Sequence, residues 1–391
     1  MIFSLPVQQE PKKYAPVRTL MLYLTEECNL RCTYCFVKKE PKYMSRETAL
    51  RTLDWVLQRN VSGGEYKVLV NFFGGEPFLA VDLMQEVVDY GRLERPNLYK
   101  TFKFSATTNG TLANERVERV VREGQLALMV SMDGGAQANR LRPMVSGRES
   151  YSLVRKNLPR LAEWARLCTA RVTFTPDNLE LLKNVRDVLN VAPVGVALCP
   201  VVEADWAGHE QALEDAYAEL GEWFAAEVRA GRRPPLEVTW ELLRDYQQRL
   251  ICKRRPQKAC PLGESLMAVD SQGNVLPCHR FLHRPQQRLG TVEASELPDE
   301  RWLYAHLKRA EIPDCETCVA RTVCGGGCRA VALDGGYGLN EVHPYHCLLM
   351  QAHMRLVARL YAELRHDLNF WSGLAQVPTD TLNQELYQLG S

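Results

Sequence analysis

The sequence predicts an α/β protein with a mainly parallel sheet, on three observations. Strand-like and helix-like segments alternate six times between residues 19 and 229, which is how successive βα units read. The strand segments are near-continuous apolar runs, as expected of strands covered on both faces. Hydrophobic residues make up 46% and charged residues 24% of the 391, close to globular averages, so the chain can build a sizeable core and is not disordered in the main. At about 150 residues per domain, two to three domains are expected.

Thr19–Leu24 is the first expected strand and Ser45–Asn60 the first helix, with Ser45 suited to cap its first turn. Lys67–Phe73 and Val81–Leu93 form the second pair, and Phe102–Thr107 and Asn114–Glu123 the third. Leu126–Met132 and Tyr151–Leu167 form the fourth, Arg171–Thr175 and Leu179–Leu189 the fifth, and Val194–Leu198 and Glu210–Arg229 the sixth. The stretch Ala230-Gly231-Arg232-Arg233-Pro234-Pro235 stops that helix and reads as a linker. Ser265–Asp270 and Val275-Leu276 frame a hairpin whose turn, Ser271-Gln272-Gly273-Asn274, has a glycine suited to positive φ. Leu348–Leu368 reads as an amphipathic helix and Asn369–Ser391 as a polar tail. The expected domains are 1–235, 236–348 and 349–391. Spacing leaves open whether the sheet is doubly wound or a partial barrel. In either case the functional loops follow the C-terminal ends of the strands.

Lys and Arg total 48 and Asp and Glu 47, a net charge of +1, which argues against a nucleic-acid binder. No apolar run approaches the ~18–20 residues of a membrane span. The opening residues MIFSLPVQQEPKK lack a basic start and a cleavage site. The expectation is a cytoplasmic protein without a membrane partner. There are 13 cysteines: Cys28, Cys32, Cys35, Cys168, Cys199, Cys252, Cys260, Cys278, Cys315, Cys318, Cys324, Cys328 and Cys347. Without an export signal, metal binding is the leading explanation for so many thiols.

The first group directly follows the first strand, in Cys28-Asn29-Leu30-Arg31-Cys32-Thr33-Tyr34-Cys35, a C-x3-C-x2-C spacing. Three thiolates on one loop can hold three irons of a [4Fe–4S] cluster and leave the fourth open for a ligand. A zinc site completed by a distant ligand is the alternative. The second group runs from Cys252 to Cys347, with C-x12-G-x4-C at Cys260–Cys278 and C-x2-C-x5-C-x3-C at Cys315–Cys328. Its eight thiols suffice for two four-iron clusters, and zinc ribbons are again the alternative. Cys168 and Cys199 fall outside both patterns and read as core thiols.

The first loop resembles the hallmark of the radical S-adenosylmethionine (radical SAM) superfamily, with Tyr34 at the aromatic position before the last cysteine. Three further segments agree: Gly74-Gly75-Glu76-Pro77 after the second strand, Thr107-Thr108-Asn109-Gly110-Thr111 after the third, and Ser131-Met132-Asp133-Gly134 after the fourth. The resemblance, over roughly residues 15–230, implies a partial (βα)6 barrel. It also implies a cluster on Cys28, Cys32 and Cys35 that binds and reductively cleaves SAM, and a 5′-deoxyadenosyl radical that abstracts hydrogen from the substrate. It assigns Gly74, Gly75, Glu76, Pro77, Ser131 and Asn109 to SAM. Arg171 is a candidate for the SAM carboxylate, with Arg148 and Arg155 as alternatives. Asp133 is expected to brace its loop.

The second cysteine region resembles the SPASM extension of peptide-modifying radical SAM enzymes. This implies one auxiliary cluster on Cys260, Cys278, Cys328 and Cys252, and a second on Cys315, Cys318, Cys324 and Cys347, making three [4Fe–4S] clusters with SAM. Sulfatase maturases of this family carry an aspartate just after the second hairpin cysteine. Here His279 stands there, in Cys278-His279-Arg280-Phe281, a run closer to the maturases of ribosomally made peptides. His279 is the candidate proton acceptor, with Glu203, Asp205, Asp270 and Tyr337 further candidates by position. Only 27 residues precede Cys28, so a leader on the substrate is expected to be bound by the Cys-rich region or by a separate small protein. The implied partners are a precursor peptide and an electron donor such as flavodoxin or ferredoxin. Two alternatives are kept: maturation of a larger protein such as a sulfatase or an amine dehydrogenase, and a non-catalytic Fe–S or zinc scaffold that carries electrons.

Overall fold

A computed structural model of the chain describes residues 16–60, 67–94, 102–252, 260, 262–263, 265–294 and 312–377. Six parallel strands come first: β1 (Thr19–Thr25), β2 (Val68–Gly74), β3 (Phe102–Thr108), β4 (Ala127–Ser131), β5 (Leu167–Phe174) and β6 (Gly195–Pro200). They lie side by side in chain order. A doubly wound sheet would reverse its order at a switch point, so the parallel sheet is of the singly wound, partial-barrel kind. The alternate residues Val70, Phe72, Phe104, Val130, Val172 and Leu198 belong to the main apolar core. Strand period two sends their neighbours Asn71, Ser105, Met129, Arg171 and Cys199 to the opposite, inner face.

The sheet does not end at β1. β7 (Leu266–Val269) adds to it in parallel, with Thr19 opposite Leu266 and Leu22 opposite Val269. β8 (Asn274–Leu276) and the short β9 (Gly290–Thr291) follow antiparallel. The β7–β8 turn is the expected one. Gly273 has φ +82, and Asp270 accepts the amides of Gln272 and Asn274, both at 2.9 Å.

The crossover helices are α1 (Arg46–Asn60), α2 (Val81–Asp89), α3 (Glu115–Gly124), α4 (Tyr151–Trp164), α5 (Leu181–Leu189) and α6 (Glu210–Arg229). Ser45 caps α1 by accepting the Thr48 amide at 3.1 Å. Several boundaries differ from the sequence reading: the helix expected over Leu348–Leu368 spans Pro344–Leu364, and two differences lie at the ends of crossover helices. α4 stops at Trp164 because Ala165 turns extended and the Arg166 amide joins Leu126 of the sheet at 2.9 Å, so β5 begins at Leu167 rather than Arg171. α2 stops at Asp89 and passes into a π turn at Tyr90–Glu94.

The linker is tied to the barrel. The Val196 amide donates to Pro235 O at 2.7 Å, and α7 (Glu237–Cys252) follows at once. α8 (Arg329–Asp334) and α9 (Pro344–Leu364) complete the Cys-rich region, and α9 lies against α6 and α7. The expected tail contains another helix, α10 (Leu368–Ala375). Asp367 caps it at Asn369 N (2.8 Å), and Phe370 is buried against Trp240 with ring centroids 5.9 Å apart. Its apolar face spans two turns, too short a period to read in a polar stretch. No helix among the described residues is long and apolar enough to cross a membrane.

Candidate active site and cysteine clusters

The first cysteine loop is clasped by three neighbouring segments. Arg31 N donates to Pro143 O at 2.7 Å, Thr33 N to Leu141 O at 2.9 Å, and Val145 N to Asn29 O at 3.0 Å. From β2, Gly75 N reaches Thr25 O at 3.0 Å and Glu76 N reaches Glu27 O at 2.8 Å. A Cβ on Gly75 would lie 1.9 Å from Glu27 O, and Gly74 has φ +130. These two glycines are therefore required for the GGE loop to lie on the backbone of the cysteine loop, a closer constraint than ligand approach. Pro77 opens the short 3-10 turn that follows, capped by Glu76.

Glu76 is fully buried. It accepts Phe78 N at 3.0 Å, Thr108 Oγ1 at 2.8 Å and Asn109 N at 2.7 Å, which locks the β2 loop to the β3 loop. Burial pushes its carboxyl up to about 7, against the pull of these donors. Asn109 spends its side chain on the cysteine loop and its own turn. It donates to Asn29 Oδ1 at 2.7 Å and lies 3.7 Å from Cys28 Sγ, and its Oδ1 accepts Thr111 N at 2.9 Å.

Arg142 is the residue the sequence did not single out. It is 1% exposed and donates to the carbonyls of Ser131 and Asn109 and to Asn139 Oδ1. Burial works against its charge, but Asp133, Tyr34 and Cys32 hold it firmly ionised. Ser131 thus meets it through its backbone carbonyl. Tyr34 donates to Asp133 Oδ2 at 2.6 Å, and Asp133 Oδ1 takes Thr173 N at 3.1 Å, the bracing part expected of Asp133. Arg148 and Arg155 are exposed. The only sequence signal for Arg142 is its place eleven residues after Ser131, which does not separate it from its arginine neighbours.

Arg171 lies opposite Ser131 on the inner face of β5. His279 faces it from the turn after β8, 8% exposed. The ring of His279 sits 4.9 Å from that of Phe73 and 5.9 Å from that of Phe36. Burial and then the charge of Arg171 push its imidazole down to about 3, so it is neutral. Arg280 stacks on Phe36 at 4.3 Å and pairs with Glu203 beyond β6, joining the two edges of the open sheet. Arg142 Nε, Arg171 Nε, His279 Nδ1 and Asn71 Oδ1 are buried and find no hydrogen-bond partner among the described residues.

The other candidate bases are engaged. Glu203 holds Arg280, Asp205 accepts Tyr345 OH at 2.8 Å, Asp270 serves the hairpin turn, and Tyr337 sits edge-on to His343.

The later cysteines fall into two groups in space. Cys278 is pushed up by burial and then by Cys260 and Cys328 beside it. Cys347 is pushed up to about 11 by burial and then by Cys324, Cys315 and Cys318. The side chain of Cys252 lies outside the described residues. His346, unremarked in the sequence, has Nε2 3.8 Å from Cys324 Sγ. Cys168 is buried and pushed up to about 12. Cys199 is buried on the inner face of β6, near Arg171.

The first loop suits an iron–sulfur cluster by its donors. Cys28 accepts Leu30 N at 3.4 Å, and Cys35 accepts Lys39 Nζ at 2.8 Å. Burial pushes Cys28 up and Cys32 up to about 11, so bound iron would supply the charge that deprotonates them. Among the described residues no three His, Cys, Asp or Glu converge on a single-ion site. A cluster, whose cysteines each take a different iron, asks for no such convergence.

The family model of the Radical SAM superfamily matches residues 22–189. An uncharacterized protein of Methanocaldococcus jannaschii is 31% identical over 135 residues, 34% of this chain and 45% of that protein. This chain thus spans under half the length of that relative. The serine-type anaerobic sulfatase-maturating enzyme of Klebsiella aerogenes is 22% identical over 373 residues, 84% of this chain and 83% of the enzyme. Among solved structures, native anSMEcpe with bound AdoMet superposes with TM-score 0.71 at 20% identity, covering 89% of this chain and 100% of that one. Streptococcus suis SuiB bound to its precursor peptide SuiA superposes with TM-score 0.58 at 14% identity, covering 85% and 76%. At these identities the likeness is one of fold.

Proposed function

We propose, on the premise that residues 22–189 give this chain its place in the radical SAM superfamily, that it abstracts a hydrogen atom from a residue of a ribosomally made peptide and so modifies it. The product would be a cross-link, an excision or an epimerised residue. The family implies one [4Fe–4S] cluster and SAM, and three clusters are our reading. Cys28, Cys32 and Cys35 would hold a cluster that, when bound, would supply the electron for reductive cleavage of SAM to a hydrogen-abstracting radical. The remaining chemistry is positioning by the chain. Glu76 and Asn109 hold the β2 and β3 loops against the cysteine loop, while Arg142 holds the Ser131 and Asn109 carbonyls. Gly74, Gly75, Pro77, Ser131 and Tyr34 line the SAM side in this reading, and Arg171 is the cation for an anionic group there. His279 would face the reacting residue.

The observation that carries the reading is the set of buried, unpartnered atoms Arg142 Nε, Arg171 Nε and His279 Nδ1 between the cysteine loop and the hairpin. Leaving each unpaired costs about 1–3 kcal/mol, a cost that polar ligands in the barrel would offset. Auxiliary clusters on Cys260, Cys278, Cys328 and Cys252, and on Cys315, Cys318, Cys324 and Cys347, complete the proposal. So do a separate electron donor and, where the substrate has a leader, a leader-binding protein.

A second reading, maturation of a sulfatase-type protein, is favoured by the match over 84% of this chain to a serine-type sulfatase-maturating enzyme. Co-expression under low oxygen with small peptides encoded beside the gene, and separately with a sulfatase-site peptide, discriminates the two by intact mass. Loss of two hydrogens or more from a neighbouring peptide, or deuterium gained by it in deuterium oxide, supports the first reading. A serine or cysteine oxidised only in the sulfatase peptide supports the second.

A further inference from the structure

We infer that Lys39 is a positioning residue for the first cluster: its ammonium donates a hydrogen bond to the Cys35 thiolate and raises that cluster's reduction potential. The inference rests on the reading that Cys28, Cys32 and Cys35 hold a [4Fe–4S] cluster. Lys39 Nζ lies 2.8 Å from Cys35 Sγ, in direct contact with the sulfur.

The neighbouring lysines behave differently. Lys38 pairs with Glu40 at 3.5 Å, and Lys42 pairs with Glu40 at 2.5 Å and with Glu26 at 4.0 Å. Among the described residues Lys39 pairs with no carboxylate, and its charge is turned to sulfur. The backbone on either side fixes that direction. Lys38 N donates to His283 Nε2 at 2.8 Å, and Glu40 N to Glu26 O at 3.4 Å. Glu26 is in turn held by Ser271 Oγ at 2.7 Å. His283 and Ser271 both belong to the β7–β9 region, so the extension of the sheet aims a cation at the cysteine loop of the barrel.

The direction of the effect follows from charge. Adding one electron makes the cluster and its sulfurs more negative, so a fixed ammonium stabilises the reduced form more than the oxidised one. Hydrogen bonds to the sulfurs are among the factors that set such potentials.

The test is an anaerobic redox titration of the full, iron-loaded enzyme, followed by electron paramagnetic resonance. The signal to track is the one that changes when SAM is added. Lys39→Met should lower the equilibrium constant for its reduction about tenfold, which is about 59 mV for one electron. Lys39→Arg, which keeps the charge, should stay within about twofold of the wild type. Should Lys39→Met fail to take up iron, Lys39→Gln drops the charge and keeps an N–H donor, giving the same comparison. A SAM-responsive signal with an unchanged midpoint in the neutral variants overturns the inference alone, as does an Arg variant that falls as far as they do. A wild-type enzyme with no SAM-responsive signal overturns the cluster reading itself, and the inference with it.

Discussion

Among the described residues, the loop of Cys28, Cys32 and Cys35 takes most of its backbone hydrogen bonds from distant segments, whereas those of the stretch from Cys315 to Cys328 close turns of its own. Arg31, Thr33 and Asn29 are bonded to residues 141–145, and Thr25 and Glu27 to Gly75 and Glu76. In the later stretch, Cys315 N bonds Ile312 O, Arg321 N bonds Cys318 O and Cys324 N bonds Ala320 O. Metal binding is folding free energy where a site is not formed in advance. On the reading that both groups of cysteines hold clusters, the barrel shapes its cysteine loop through protein hydrogen bonds, while the later cysteines would take more of their order from what they bind.

The sharpest break between the two regions is functional. Cys28→Ala should abolish SAM cleavage, read as 5′-deoxyadenosine, while about 8 of about 12 irons remain. Cys318→Ala should lose a similar share of iron yet retain cleavage of SAM. If cleavage survives Cys28→Ala, the first cluster has been assigned to the wrong thiols. Removing all iron tests the structural half of the comparison. Amide hydrogen exchange at 312–328 should speed by about a hundredfold or more, whereas the amides of Arg31 and Thr33 should change little because protein carbonyls hold them. Equal loss of protection in both would remove the distinction drawn above.

Arg142 carries the barrel side of the contrast. It is buried and binds two carbonyls and an amide oxygen, with Asp133 supplying charge. Arg142→Met should destabilise the chain by about 3 kcal/mol or more, since hydrogen bonds to a charged group are worth about 1.5–3 kcal/mol each and the variant loses those to two carbonyls and an amide oxygen. Chemical denaturation of the iron-free protein measures this, since the loop is built without metal. A loss below about 1 kcal/mol would mean that the loop stands on its backbone bonds alone.

Much of this arrangement is legible in the sequence because strand order and motif order coincide. Successive apolar strands predict successive parallel neighbours, and each motif falls at a strand's C-terminal end. What escapes is whatever depends on contacts between loops. Arg142 follows no periodic pattern, and its value comes from three acceptors supplied by distant turns. Gly75 reads as a place for a ligand, yet the nearest atom to its missing Cβ is Glu27 O. The boundary at Leu167 escapes because Ala165 and Arg166 fit a helix locally until the sheet edge at Leu126 captures the chain. Lys39 looks like one more surface lysine in a charged run, and only its fixed backbone turns it to Cys35.

α9 connects the two regions, carrying Cys347 near its start and packing on the barrel's helices further along. Its anchor is His353, which stacks on Tyr217 with centroids 5.0 Å apart and lies 3.2 Å from Thr239 Oγ1. Burial pushes its imidazole from 6.5 down to about 4. The native state therefore binds this proton more weakly than the unfolded chain does. Its contribution is complete above pH 6.5 and is lost as pH falls toward 4, a span worth about 3 kcal/mol at 1.36 kcal/mol per pKa unit. Unfolding midpoints should drop across that window, and His353→Phe should flatten the slope while keeping the ring against Tyr217. The smaller cost at pH 7.5 is the hydrogen bond to Thr239, about 1 kcal/mol. An unchanged slope in the Phe variant would move the acid sensitivity to other groups. It would also leave α9 anchored by its apolar face, with Leu356, Val357 and Leu360 all buried.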